Sequence, residues 1–150
     1  MALGAGWFDG ILARMSQDDV EFLRGIYEEW GRGDYSREFF AADIVSHAHG
    51  FVDIEGGQAG LENVLESQRE WLRQWERPFS AEAEEYIPAG DRVVVLIRWR
   101  GKGRGSGVEL EAEGAHVWQL RDGEAVRWDV YRDRDKALAD AGVSGKAAAG

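Results

Sequence analysis

Two of the three histidines in the chain stand two residues apart, in the stretch "DIVSHAHG" that runs from Asp43 to Gly50. An imidazole exchanges protons near neutral pH and is also a common metal ligand. His47 and His49 could therefore form a metal-binding pair or an acid/base device directed into a pocket, or they could be ordinary surface histidines. Each interpretation requires different surroundings.

The third histidine, His116, lies in the predicted strand 108–121. Successive side chains of a strand point to opposite faces, which puts His116 on the same side as Gly114 and Trp118. That side is mostly apolar, and we expect it to face the core of the protein. An imidazole in such a place would have a hydrogen bond, a water or a ligand as its partner.

The same alternation applies to the predicted strand 44–51, where His47 and His49 share a side with Val45 and Phe51. If Val45 and Phe51 face the core, both histidines do as well. The sequence then predicts His47 inside a cavity close to His116, with His49 toward the mouth. In that arrangement His47 and His116 would exchange protons with a bound molecule.

A metal site is the less favoured alternative. His47, His49 and His116 would supply three imidazoles and leave a fourth position open, as catalytic zinc requires. Two histidines separated by one residue are a weak signal, and no carboxylate is obviously placed to support such a site. We expect no metal and no other cofactor.

Seven tryptophans in 150 residues are unusual. A tryptophan has a large apolar ring and one N–H donor, so it suits the wall of a pocket as well as a core. Five aromatic residues are the candidate substrate-binding wall: Tyr27, Trp30, Trp99, Trp118 and Trp128.

Helical periodicity dominates the first half of the chain and strand periodicity the second. This order predicts an α+β fold in which helices pack on one face of a curved antiparallel sheet. On the other face Glu109, Glu111 and Glu113 are expected to pair across the strands with Arg98 and Arg100. The predicted helices are 7–15, about 18–30, a short one in "DYSREFFAAD", 60–77 and 133–141; the strands are 44–51, 79–87, 92–100, 108–121 and 125–131.

Composition narrows the class of protein. A formal net charge of −10 argues against nucleic acid or an anionic membrane as the main partner. The absence of cysteine excludes disulfides and thiolate chemistry. With no apolar run long enough to span a bilayer and a poor signal peptide, a cytoplasmic protein is expected.

One domain accounts for the length of the chain. We predict an amphipathic extension at 1–17, the domain itself at 18–141 and a flexible tail at 142–150. The glycine-rich "GKGRGSG" suggests a phosphate cradle, but it does not lie between a strand and a helix, so a hairpin connection is the better interpretation.

Three stretches, "FLRGIYEEWGRGDYSREFFAADIV", "AGDRVVVLIRWRGKGRGSG" and "HVWQLRDGEAVRWDVYRDRDKAL", resemble the SnoaL-like family. That family belongs to the superfamily of nuclear transport factor 2, ketosteroid isomerase and limonene-epoxide hydrolase. The resemblance covers roughly residues 18–140. It implies a cone-shaped α+β barrel in which the sheet wraps helices around a deep, mostly apolar pocket, and homodimers through the outer face of the sheet.

None of the three working residues of ketosteroid isomerase is retained here. The base of ketosteroid isomerase falls on His47, its oxyanion-binding Asp on His116, and its helix tyrosine on Ile26, next to Tyr27. Limonene-epoxide hydrolase needs an Asp–Arg–Asp set, for which Arg98 and Asp129 are the candidates. The polyketide cyclases have an acid/base Asp in a context like "RWDV", which Asp129 matches, although alternation points Asp129 outward.

The resulting hypothesis is an isomerase, cyclase or hydrolase that acts on a small hydrophobic carbonyl or epoxide compound. Its catalytic residues would be His47, His116 and Asp129. The alternative is a non-catalytic ligand-binding or dimeric interaction module on the same fold. A pocket with polar groups converging near its floor would favour the enzyme.

Overall fold

A computed structural model of the chain describes residues 2–51 and 56–143, with side chains from residue 17 onward. Those residues form three helices and six strands. In chain order they are helix α1 (Ala2–Gly31), strands β1 (Phe40–His49) and β2 (Gly56–Ala59), helix α2 (Leu61–Arg73), strands β3 (Ser80–Ala89), β4 (Arg92–Lys102), β5 (Glu109–Arg121) and β6 (Glu124–Tyr131), and helix α3 (Arg134–Asp140).

The predicted α+β architecture is confirmed. The six strands form one curved, open sheet in the order β2-β1-β6-β5-β4-β3. The prediction of a purely antiparallel sheet was wrong at one point, since β1 runs parallel to β6 while the other neighbouring pairs are antiparallel. In the described part of the chain, no helix is long and apolar enough to cross a bilayer.

The chain between α1 and β1 does not form the predicted short helix. Gly33 adopts a left-handed φ of 81° just after α1, and the Asp34 carboxylate then accepts hydrogen bonds from Ser36. Phe40 already pairs with Ala125 of β6. Local helix propensity is outweighed here by burial of aromatic side chains in the core.

The amino-terminal helices predicted at 7–15 and 18–30 are one continuous helix, α1. The predicted tail falls mostly on residues 144–150, outside the described part of the chain. Strand β2 was predicted as a loop. It has the sequence "GGQA", and backbone pairing with β1 needs no pattern of side chains.

The main core lies between the helices and the inner face of the sheet. Helix α1 packs against β3 and β4, and α2 packs against β1 and β2. The alternation predicted for β4 is confirmed, since one side enters this core and the other does not. The buried residues that α1 and β4 contribute to this core are Leu23, Ile26, Tyr27, Trp30, Val93, Val95, Ile97 and Trp99.

A second, smaller core lies on the outer face, where α3 covers part of β4, β5 and β6. The guanidinium of Arg134 fixes α3 by donating to the carbonyl oxygens of Ile97 and Gly114, at 2.7 and 3.0 Å. Beside it Arg98 pairs with Glu111 and Glu113, as alternation predicts. Homodimerisation through this face stays a prediction.

Candidate functional site

A cavity of about 410 Å³ lies between α1, α2 and the inner face of the sheet. This is within the range of about 300–1,000 Å³ that small-molecule sites occupy. Serine and glutamine side chains from β1, β2 and α2 supply polar groups, and the rest of the lining is largely apolar. Its aromatic members are Trp30, Tyr35, Phe51, Trp71, Phe79, Trp99 and Trp128, and His116 lies among them.

His116 is held in this lining by a buried chain of hydrogen bonds. Its Nδ1 atom lies 2.5 Å from the hydroxyl oxygen of Tyr27. The Nε1–H of Trp118 donates to that same hydroxyl oxygen at 2.8 Å. All three side chains are at least 96% buried (relative exposures of 2%, 4% and 0%). Helix α1 and strand β5 together position the group.

The protonation state of His116 follows from these surroundings. Burial lowers the pKa of His116 to about 3, so the ring is neutral at physiological pH. Burial also raises the pKa of Tyr27 well above its usual value, so its hydroxyl keeps its proton. Trp118 Nε1–H is a donor only, so Nδ1 of His116 is the one acceptor that the described residues offer to the Tyr27 hydroxyl proton.

The proton of the neutral imidazole is therefore assigned to Nε2. No described residue forms a hydrogen bond with this nitrogen, and His116 lines the cavity. His116 is thus a hydrogen-bond donor toward the cavity. A ring with a pKa of about 3 is a poor general base at neutral pH.

Four indole rings surround the imidazole and account for its strongly apolar environment. The ring of Trp128 lies 5.5 Å from that of His116, and three others lie at 5.9–6.1 Å. All four present tilted or edge-on geometries, with interplanar angles from 64° to 86°. The three indole rings at 5.9–6.1 Å from the imidazole belong to Trp30, Trp99 and Trp118.

The prediction that His47 points into the cavity near His116 was wrong. Ser46 and Ala48 line the cavity instead, and His47 is exposed on the opposite face of the sheet. Alternation holds along β1, but its inner side carries Ile44, Ser46 and Ala48. Phe51, from which the face of the histidines was inferred, lies beyond the strand, after Gly50 with its left-handed φ of 86°. The proposed proton exchange between His47 and His116 cannot take place across the sheet.

The three-histidine metal site is excluded by the same geometry. His47 and His49 stack on each other at 5.6 Å on the outer face, away from His116. Among the described residues, no group of three potential ligands is placed to hold a metal ion. His49 was expected at the cavity mouth, and that expectation was also wrong.

Asp129 is buried on the outer face, where alternation in β6 points it, and it does not reach the cavity. Its Oδ2 accepts a hydrogen bond from Nε of Arg127 at 2.8 Å. Its Oδ1 lies 3.9 Å from Nε2 of His49, and neither of these buried atoms has a hydrogen-bond partner among the described residues. The ring of His49 stacks on Tyr131 at 4.2 Å.

Three of the five predicted wall residues, Trp30, Trp99 and Trp128, line the cavity. Tyr27 and Trp118 lie behind His116, where their hydrogen bonds position its ring, and they do not line the cavity. Sequence reasoning missed Tyr35 and Trp71. Trp71 follows Val64 by seven residues on α2, a helical spacing that indicates a shared face, whereas Tyr35 lies in an irregular segment that gave no signal.

Residues 23–128 match the family model of the SnoaL-like domain. No curated protein sequence matches the chain. Several solved structures share its fold. A SnoaL-like protein from Jannaschia sp. CCS1, described as a candidate polyketide cyclase, is 18% identical with a TM-score of 0.66, over 82% of this chain and 90% of that one.

Two further structures are similar. A protein with a ketosteroid isomerase-like fold from Catenulispora acidiphila DSM 44928, in complex with trimethylamine, is 18% identical with a TM-score of 0.62, over 84% of this chain and 95% of that one. TerC, co-crystallised with polyporic acid, is 21% identical with a TM-score of 0.61, over 81% and 95%. Such low identities show the fold alone.

The curved sheet around helices places the chain in the class of nuclear transport factor 2-like and ketosteroid isomerase-like folds. Since the family model matches the greater part of the sequence, the chain belongs to the SnoaL-like domain family. Polyketide cyclases and isomerases are among the proteins with this fold.

Proposed function

We propose that the protein binds a small hydrophobic carbonyl compound in the inner cavity, where Nε2–H of His116 donates a hydrogen bond to the carbonyl oxygen. The observation that carries this proposal is the 2.5 Å contact between the Tyr27 hydroxyl and Nδ1 of His116, from which the Nε2–H tautomer is inferred. A preorganised neutral donor in an apolar cavity stabilises negative charge that develops on a carbonyl oxygen.

The reaction that fits this donor is proton transfer at a carbon next to the carbonyl, as in isomerases and aldol-type cyclases. His116 would stabilise the enolate oxygen, a role that a neutral histidine has in another enzyme. A base is also needed. The described lining offers one carboxylate, that of Glu70 on α2, and this side chain is exposed.

An exposed carboxylate such as that of Glu70 is poorly placed to act as a base inside the cavity. Its position favours a second candidate function, in which the cavity binds a carbonyl compound without converting it. The two candidates differ in one measurable property. An enzyme would exchange the α-protons of a bound ketone with deuterium from D₂O faster than the buffer does, whereas a binding protein would not.

Thermal-shift screening of ketones among steroids, terpenoids and aromatic polyketides, each beside its deoxygenated analogue, tests the binding proposal. His116→Phe keeps a ring of similar shape and removes the donor. We expect this variant to bind ketones about 3- to 10-fold more weakly than the native protein does, because one hydrogen bond is lost. It should bind the deoxygenated analogues as tightly as the native protein does. His47→Phe on the outer face is the control. Equal ketone affinity in His116→Phe and the native protein would contradict the proposal.

A further inference from the structure

A second cleft, of about 470 Å³, lies beside the inner cavity. Tyr35, Leu72 and Phe79 line both the cleft and the cavity, so the two share a wall. The cleft differs from the cavity in its charge. Four arginines line it: Arg69, Arg73, Arg77 and Arg104.

The arginines are brought together by two elements. Arg69 and Arg73 lie one helical turn apart on α2, and Arg77 follows the end of that helix. Arg104 comes from the glycine-rich β4–β5 hairpin. The stretch "GKGRGSG" forms a hairpin connection, as predicted. Its residue Arg104 lines the cleft.

Backbone hydrogen bonds fix the hairpin against the end of α2. The amide of Glu76 donates to the carbonyl of Lys102 at 2.7 Å, and the amide of Arg104 donates to the carbonyl of Gln74 at 2.8 Å. The guanidinium of Arg104 then donates to the carbonyl of Trp75 at 3.1 Å. Arg104 is therefore held beside the arginines of α2 by the fold.

The charge of this cleft opposes that of the whole chain, which is −10. Arg69 and Arg73 share one carboxylate, Glu66, at 3.6 and 2.9 Å. Within the described part of the chain, Arg77 and Arg104 have no carboxylate within 4 Å. The acidic residues of the lining are Asp34 and Glu76, fewer than the four arginines, so the lining is positive overall.

Asp34 is occupied by its hydrogen bonds to Ser36. Arginines four residues apart on a helix repel one another, and the carboxylate of Glu66 offsets only one of the two charges of Arg69 and Arg73. An anion bound beside them would offset the other. The planar guanidinium also matches the geometry of carboxylate and phosphate groups.

We propose that this cleft binds the anionic group, carboxylate or phosphate, of an amphipathic ligand whose apolar part lies in the inner cavity. The anion site depends only on the arginines. The amphipathic character of the ligand rests also on the proposed function of the cavity, with which the cleft shares its wall.

The test compares two fluorescent probes that differ only in charge, 11-(dansylamino)undecanoic acid and its methyl ester. The native protein should bind the acid at least tenfold more tightly. In the Arg73→Gln, Arg77→Gln double variant this preference should fall below threefold while the affinity for the ester stays the same. The control is Arg121→Gln, Arg132→Gln, which removes the same charge from exposed positions elsewhere and should keep the preference.

Inorganic pyrophosphate tests the cleft without the cavity. It should cause saturable shifts in the NMR amide signals of Glu76 and Arg104 in the native protein, and none in the Arg73→Gln, Arg77→Gln variant. Arginine-dependent pyrophosphate binding without binding of either probe would support the anion site and overturn the amphipathic ligand. The whole proposal is overturned if neither the preference for the acid nor the response to pyrophosphate depends on these arginines.

Discussion

The hydroxyl of Tyr27 on helix α1 lies 2.5 Å from Nδ1 of His116 on strand β5, 89 residues further along the chain. This contact converts an ordinary buried histidine into a donor of fixed direction. It holds the proton on Nε2, the nitrogen without a partner among the described residues. The proposed function depends on this one relationship.

Removal of the Tyr27 hydroxyl should therefore weaken ketone binding without emptying the cavity. In Tyr27→Phe both Nδ1 of His116 and Nε1 of Trp118 lose their buried partner, which should cost about 1–3 kcal/mol of unfolding free energy for each group left unsatisfied. The imidazole can then place its proton on either nitrogen, so ketone affinity should fall. Urea unfolding and ketone titration measure the two effects.

Tyr86→Phe is the matched control, because the ring of Tyr86 packs on Tyr27 at 6.2 Å while its hydroxyl has no hydrogen bond to a described residue. Equal losses of stability in the two variants would contradict the account of the Tyr27 hydroxyl.

Because His116 has a low pKa in the folded protein, we expect it to lower the free energy of unfolding at acidic pH. Its pKa is about 3 in the folded protein, against 6.5 as the ordinary value. Between these pH values the ring of His116 binds a proton in the unfolded chain and not in the folded protein, so its contribution to stability falls as the pH drops below about 6.5. The contribution of this one group approaches about 1.4 kcal/mol per pH unit.

Urea unfolding of the native protein and of His116→Phe at pH 7 and pH 4.5 isolates this contribution. The native protein should lose more stability than the variant over this interval, by roughly 2–3 kcal/mol. Identical losses would show that His116 has an ordinary pKa in the folded protein, which would contradict its strongly apolar surroundings.

Sequence reasoning succeeded where alternation ran unbroken and failed where the backbone departed from it. In β5 the face of His116 follows directly from its position between Gly114 and Trp118, and the structure confirms it. In β1 alternation also holds, but Phe51 lines the cavity from beyond the left-handed Gly50, so its position does not give the face of His47 and His49. The backbone pairing of β2 has no signature in side-chain types. The Tyr27–His116 contact joins two distant elements and depended on the assembled fold.

Asp129 should influence the pKa of His49 and not ligand binding, because Asp129 and His49 lie on the outer face of the sheet and the cavity lies on the inner face. Burial lowers the pKa of His49, and the nearby Asp129 carboxylate opposes that effect. In Asp129→Asn the opposing charge is lost, so the pKa of His49 should fall further. NMR titration of the His49 ring measures this shift. Ketone affinity should stay within twofold of the native value, and its loss would place Asp129 in the site after all.

Gly114 should not tolerate a side chain, since its Cα faces the aromatic wall beside His116. A Cβ atom added there would overlap the ring of Trp99 and lie 2.6 Å from the carbonyl oxygen of Tyr131. Overpacking of this kind costs about 1–3 kcal/mol, and the displaced Trp99 would narrow the cavity. Gly114→Ala should therefore lower both the unfolding free energy and the affinity for ketones.

Gly25→Ala is the control, because the nearest atoms to its added Cβ are at 3.6 Å and alanine favours the interior of helix α1. That variant should gain up to about 1 kcal/mol of stability and bind ketones normally. Native stability and native ketone binding in Gly114→Ala would contradict the close packing of Trp99 over β5 and, with it, the shape of the cavity wall.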